Sequence, residues 1–203
     1  MGLDSIELLM SVEDKFGIRF SKEEAERIIT VRNFANETFQ KLSVADHHTS
    51  VQQIVFYRLR KAFIQIGNDK KMVEPNSLVS HLLSKENLES DWNQIEKLTE
   101  FKLPQLNNWD FNDEEVKGKE YKVWGITYYT DISLFPQPVS RVTIKKLVDW
   151  VISLNYAQLI NPQEITSEYE VQRIIVGLLD ELCGVDVNAQ KLDHEIVKDF
   201  GIE

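Results

Sequence analysis

Apolar residues recur along this chain at the three- and four-residue steps of amphipathic helices, and that spacing predicts a mainly α fold. From residue 3, Ile6, Leu9, Met10 and Phe16 are separated by Glu7, Asp14 and Lys15, with Asp4 and Ser5 ahead of them as helix N-caps. Near the other end, Val171, Ile174, Ile175, Leu178, Leu179 and Leu182 make one apolar stripe. Between them, SKENLESDWNQIEKL (84–98) places Leu88, Trp92, Ile95 and Leu98 behind a cap at Ser84 or Asn87, and Pro104 ends the extended piece that follows. Residues 107–141 break the helical pattern: Gly118, Gly125, Pro136 and Pro138 punctuate an aromatic-rich stretch that predicts a loop or a short hairpin.

The helical patterns repeat. ITVRNFANETFQKL (29–42) is echoed by VTIKKLVDWVISLN (142–155), each with Thr before a β-branched residue and a basic position after it. VQQIVFYRLRKAF (51–63) is echoed by VQRIIVGLLDELC (171–183). Two polar links, SVADHHTS (43–50) and AQLINPQEITS (157–167), join the members of each pair, the second marked by Pro162.

Residues 3–42 resemble helices II to IV of the acyl carrier protein family. That family's pattern runs D-S-L-x-x-x-E-L, then a helix ending in Phe, an E-E-A-E-x-I turn and a Thr-capped last helix. Matching residues are Glu7-Leu8, Met10, Phe16, Glu23-Glu24-Ala25-Glu26-Arg27-Ile28 and Thr30-Val31. Residues 168–203 resemble the family's first helix and long loop, with Leu192, Ile196 and Asp199-Phe200-Gly201 at the loop positions and Glu203 where the family has Asp. Joined tail to head, KDFGIE and MGLDSIELLM restore one whole carrier pattern, which reads as a circularly permuted or split domain. The resemblance implies two carrier-like four-helix bundles. One is formed by residues 1–42 with 163–203; the other is internal, at 50–156, with a non-helical insertion near 107–141.

What the family does becomes the expectation here: carriage or presentation of acyl intermediates on 4′-phosphopantetheine, in fatty-acid or polyketide-type metabolism. Its partners would be a phosphopantetheinyl transferase and acyl-handling enzymes. The resemblance offers two attachment positions. Gly2-Leu3-Asp4-Ser5-Ile6 reads locally as G-x-D-S-[LI] and makes Ser5 the candidate, with Asp4 beside it, whereas the gapless register puts the family serine on Gly2. Glu7, Glu13 and Asp14 would face partner enzymes, and Ile6, Leu9 and Met10 would line the acyl cleft or the core. The alternative is a carrier-derived interaction protein that keeps the shape and the acidic face but no prosthetic group. The internal unit favours it, because no D-S-L stands where its attachment serine would be.

Charge sharpens this picture. The net charge is −10, and the surplus lies at the ends: residues 1–42 hold 8 acids and 6 bases, residues 163–203 hold 10 acids and 3 bases, and the middle is nearly neutral. Such a surface steers basic partners and repels nucleic acid. No apolar run is long enough to span a membrane, and Met1-Gly2 leads straight into an acidic helix, so neither a membrane span nor a signal peptide is expected. One cysteine, Cys183, forms no internal disulfide and reads as a buried filler in a cytoplasmic protein.

Other chemistry is thin. The adjacent pair His47-His48 lacks the spacing that aims two imidazoles at one metal ion, and His81 and His194 are remote in sequence. Arg58, Arg60 and Lys61 cannot share one helix face. No glycine-rich phosphate loop, C-x-x-C, G-x-S-x-G or H-E-x-x-H pattern is present, so no enzyme active site is expected. If residues 168–203 pair with residues 1–42 of a neighbour instead of their own chain, a domain-swapped homo-oligomer follows.

Overall fold

The computed structural model describes residues 3–46, 50–112, 120–124, 126–129 and 135–202. It is mainly helical: α1 (Leu3–Phe16), α2 (Lys22–Arg27), α3 (Val31–Phe39), α4 (Val51–Gln65), α5 (Leu88–Thr99), α6 (Asn108–Phe111), α7 (Ile144–Leu154), α8 (Tyr156–Leu159), α9 (Glu168–Cys183) and α10 (Ile196–Phe200). One antiparallel hairpin, β1 (Glu120–Val123) and β2 (Ile126–Tyr129), pairs Glu120 with Tyr129 and Val123 with Ile126.

The layout follows from how α3 and α7 begin. The first amides of a helix have no partner within it. Thr30 caps α3 by accepting from the Asn33 amide (3.1 Å), and Thr143 caps α7 by accepting from the Lys146 amide (3.3 Å). An extended segment ahead of α10 supplies carbonyls for the remaining α3 donors: the Val31 amide donates to His194 (3.3 Å) and the Arg32 amide to Leu192 (2.7 Å). In return the Ile196 amide donates to Ile29 (2.9 Å). At α7 the same three bonds recur: Ile144 to Ser77 (2.9 Å), Lys145 to Pro75 (2.8 Å), and Val79 to Val142 (3.0 Å). The register is identical, one bridge centred on Thr30 and Glu195, the other on Thr143 and Leu78.

Burial follows the same correspondence. Val31, Phe34, Ala35 and Thr38 of α3 are buried, as are Ile144, Leu147, Val148 and Val151 at the matching steps of α7. Val51, Val55 and Leu59 of α4 match Val171, Ile175 and Leu179 of α9. Helix α3 packs on α9, α9 on α7, and α7 on α4, so these four helices lie in a row. Helix α1 covers α9 as α5 covers α4, and the buried side chains of both repeats form one continuous core. The two polar links meet as well, where the Ala45 amide donates to Ile165 (2.8 Å).

Several expectations change. The face of α1 toward the core is Ser5, Leu8, Val12 and Phe16; of the expected Ile6, Leu9, Met10 and Phe16, Phe16 is buried, Leu9 is partly buried at its edge, and Ile6 and Met10 are not on it. At 3.6 residues per turn positions 5, 8, 12 and 16 lie within an arc of about 80°, whereas Ile6 and Met10 fall outside it. Ile6 and Met10 are accordingly 44% and 55% exposed. Asp4 and Ser5 lie in the first turn of α1, which starts at Leu3, and so do not precede the helix as caps. Leu98 and Leu182 sit at the solvent edges of their stripes, and Cys183 is half-buried. Asn87 takes the N-cap position of α5 without a side-chain cap bond. Within 107–141, one helical turn, α6, forms because Asn107 and Asp110 make a reciprocal capping box, with Asp110 also accepting from the buried Ser140 amide at 2.7 Å. The charged run at 113–119 lies outside the described residues.

Gly177 allows α9 its close approach to α7 and α8. A Cβ there would collide with the Ser153 carbonyl and the Tyr156 ring. Gly177→Ala is therefore expected to lower the unfolding free energy by about 1–3 kcal/mol, measured by urea denaturation.

Candidate functional site

The residues singled out for function converge on α1. Ser5 is 8% exposed and lines a crevice with Leu8, Leu9, Ile28, Phe34, Ile196 and Val197. That crevice has a volume of ≈ 30 Å³, room for about one water and none for an acyl chain. Its far wall is α10, which reaches α1 because the bridge at Thr30 and Glu195 fixes the chain immediately before it. The terminal segments thus meet as the sequence implied, within one chain, and Ile202 is buried there too. Gly2 and Glu203, the other residues of the proposed junction, lie outside the described residues, as do His47 and His48.

The opposite face of α1 is open. Asp4, Glu7 and Asp14 are exposed, and Glu7 and Asp14 lie one turn to either side of the exposed Met10. Asp4, in the first turn, also complements the positive end of the helix dipole. Burial, and then the charges of Asp4 and Glu7, push the Cys183 thiol above its ordinary pKa, which favours its protonated form. Glu13 is mostly covered by its own chain. Its carboxylate accepts from the Phe20 amide at 2.6 Å and from Arg19 at 3.2 Å, which ties the turn after α1 back onto the helix. Asp14 accepts from the same guanidinium at 3.0 Å, a largely exposed pair that contributes little to stability.

The described residues of this site do not fit a phosphopantetheine arm. A phosphodiester on Ser5 would have to stand where Ile196 and Val197 pack, on the buried side of the first turn. Among the described residues no group of histidine, cysteine and carboxylate side chains is placed to hold a metal ion. No helix there is long and apolar enough to cross a membrane. Two of the three basic residues of α4 have intramolecular partners: Arg58 stacks over Phe101 at 4.7 Å and Arg60 donates to the Lys70 carbonyl at 3.0 Å.

Polar pairs that pattern reading missed hold α7 and α8 against α9, and α1 against α8. The Tyr156 hydroxyl donates to Glu181 at 2.6 Å and accepts from Lys15 of α1 at 3.3 Å, and the Tyr169 hydroxyl donates to Asp149 at 2.6 Å. Each joins residues at least 20 apart, and no local spacing announces it. No family model matches the sequence, and no solved structure matches the chain.

Two outcomes follow. Burial and the Glu181 carboxylate raise the Tyr156 pKa above the ordinary 10.0, so its neutral form is the one the fold favours. The stability it contributes is complete below pH 10 and is lost as the pH rises above that value. Unfolding free energy should fall on the alkaline side, and Tyr156→Phe should flatten that fall in denaturation curves taken between about pH 8 and 11. Ending the chain at Gln190 removes the bridging carbonyls and uncovers Leu9, Ile28 and Phe34. Its thermal unfolding should lose cooperativity and the chain should bind a hydrophobic dye. Cooperative unfolding at the full-length Tm would overturn this role for the terminal segment.

Proposed function

We propose that this protein is a carrier-derived interaction protein: two carrier-like helical units, one closed by the chain's two ends, that present an acidic helix to partners without a prosthetic group. The observation that carries this reading is the division of α1 into two faces. Ser5, the candidate attachment residue, is on the buried face, while Ile6 and Met10 stand exposed beside Glu7 and Asp14. An exposed apolar strip edged by carboxylates suits a docking surface whose partner is apolar at the centre and basic at the rim.

The shared register of the bridges at Thr30 and Thr143 supports descent of both halves from one repeated unit. The tail-to-head order of the two segments that build the first unit supports permutation. Within this reading α1 keeps the position of the family's recognition helix and uses it for binding alone.

The test is intact-mass measurement after incubation with a promiscuous phosphopantetheinyl transferase and coenzyme A. No gain of mass is expected. A gain equal to the arm, on the peptide containing Ser5, would overturn the reading and restore a carrier function.

A further inference from the structure

The two repeats differ in what covers their first helices. On α9, Arg173, Ile174 and Gly177 are buried, with α7 and α8 packed over this side of the helix. At the corresponding steps of α4 stand Gln53, Ile54 and Tyr57, and there Ile54 is 43% and Tyr57 60% exposed. The row of helices α3, α9, α7 and α4 therefore ends on a face whose counterpart, one repeat earlier, is covered by a helix.

That face has the chemistry of a helix-binding groove. On one side of Tyr57, a groove of ≈ 420 Å³ is lined by Phe56, Pro75, Val148 and Lys145. On the other side, a groove of ≈ 480 Å³ is lined by Arg58, Lys61, Leu98 and Glu100. Apolar side chains occupy the middle, and three cations against one carboxylate stand around them, in a protein whose net charge is −10. The surface suits an amphipathic helix with exposed apolar residues at four-residue spacing and carboxylates beside them.

This chain carries such a helix. Ile6 and Met10 are one turn apart on α1 and exposed, with Glu7 and Asp14 one turn to either side of Met10. We propose that the outer face of α4 takes α1 of a second copy of this protein. The inference rests on the reading of α1 as a docking helix and names its partner. Tyr57 stands where α9 has Gly177, so it holds the incoming helix farther off than α7 lies from α9, and the contact is side-chain mediated and reversible. The two surfaces are different and lie on different helices, so the contact is heterologous, unlike an exchange of terminal segments, and propagates from copy to copy unless a ring closes.

Sedimentation velocity on the full chain tests this. The wild-type sedimentation coefficient should rise with concentration, and the rise should shrink as salt screens the rim charges. Tyr57→Glu disables the groove and Met10→Glu disables the helix; both residues are exposed, and circular dichroism checks that each variant keeps its fold. Each variant alone should remain monomeric. A 1:1 mixture should form a dimer that grows no further, because it retains one intact groove and one intact helix. A wild type that stays monomeric at all concentrations overturns the proposal, as does a mixture that does not associate. Association abolished by Tyr57→Glu but untouched by Met10→Glu also overturns it, because the occupant would then be a second α4. None of these outcomes bears on whether Ser5 is modified, which the mass measurement decides separately.

Discussion

The first amides of α3 and α7 find no acceptors inside their own helices, and where the chain supplies carbonyls for them determines how it is folded. In each case the cap threonine satisfies the third donor and an extended segment satisfies the first two. For α7 the segment is Pro75–Leu78, and for α3 it is Leu192–Glu195. The second bridge therefore closes almost the whole chain, and holding it against the entropy of so long a loop requires burial on both sides. That burial is present: Val31 and Phe34 lie on one side of the bridge and Ile196 on the other, all within the core. Once the bridge is made, α10 lies beside the first turns of α1 as well as Ile28 and Phe34, and Ser5 is covered.

How much of this could be read from residues alone depends on how each signal is encoded. The paired stretches at 29–42 and 142–155 were legible because their cap threonines and buried steps coincide one for one, from Val31 with Ile144 to Thr38 with Val151. The meeting of the two chain ends was legible for a related reason, since each lacked an apolar partner that the other held. The orientation of α1 was not. Apolar residues occupy both of its faces, and burial falls on the side where Leu8, Val12 and Phe16 line up with a small serine that lets α10 come close. Leu98 and Leu182 were misplaced similarly, because a stripe read from spacing has no marked edge.

The site was less legible than the fold. A serine beside an aspartate at a helix start has the same local sequence whether its hydroxyl faces solvent or a neighbouring helix, and only the path of the distant segment 192–200 separates the two. Glu13 illustrates the same limit. It is one of a run of acids on α1, yet its carboxylate is occupied by the Phe20 amide, and its neighbour Asp14 remains exposed. The charge count of the terminal segments was correct as arithmetic, but which carboxylates are available to a partner is a matter of geometry.

The residue at one matched step captures how two similar units came to differ in use. Glycine at 177 brings a backbone surface against α7 and α8, and Tyr169 and Arg173 of the same helix both engage Asp149, so the contact is close and cross-linked by polar side chains. Tyrosine at 57 puts a large amphipathic ring at the corresponding place, and no helix among the described residues covers that face. Rings of this kind are favoured where a surface must be partly apolar and still tolerate water. If α4 docks a helix as proposed, a repeat that buries one copy of a face and keeps the other open separates cohesion from recognition. Binding at α4 would then leave untouched the contacts that join α9 to α7 and α8.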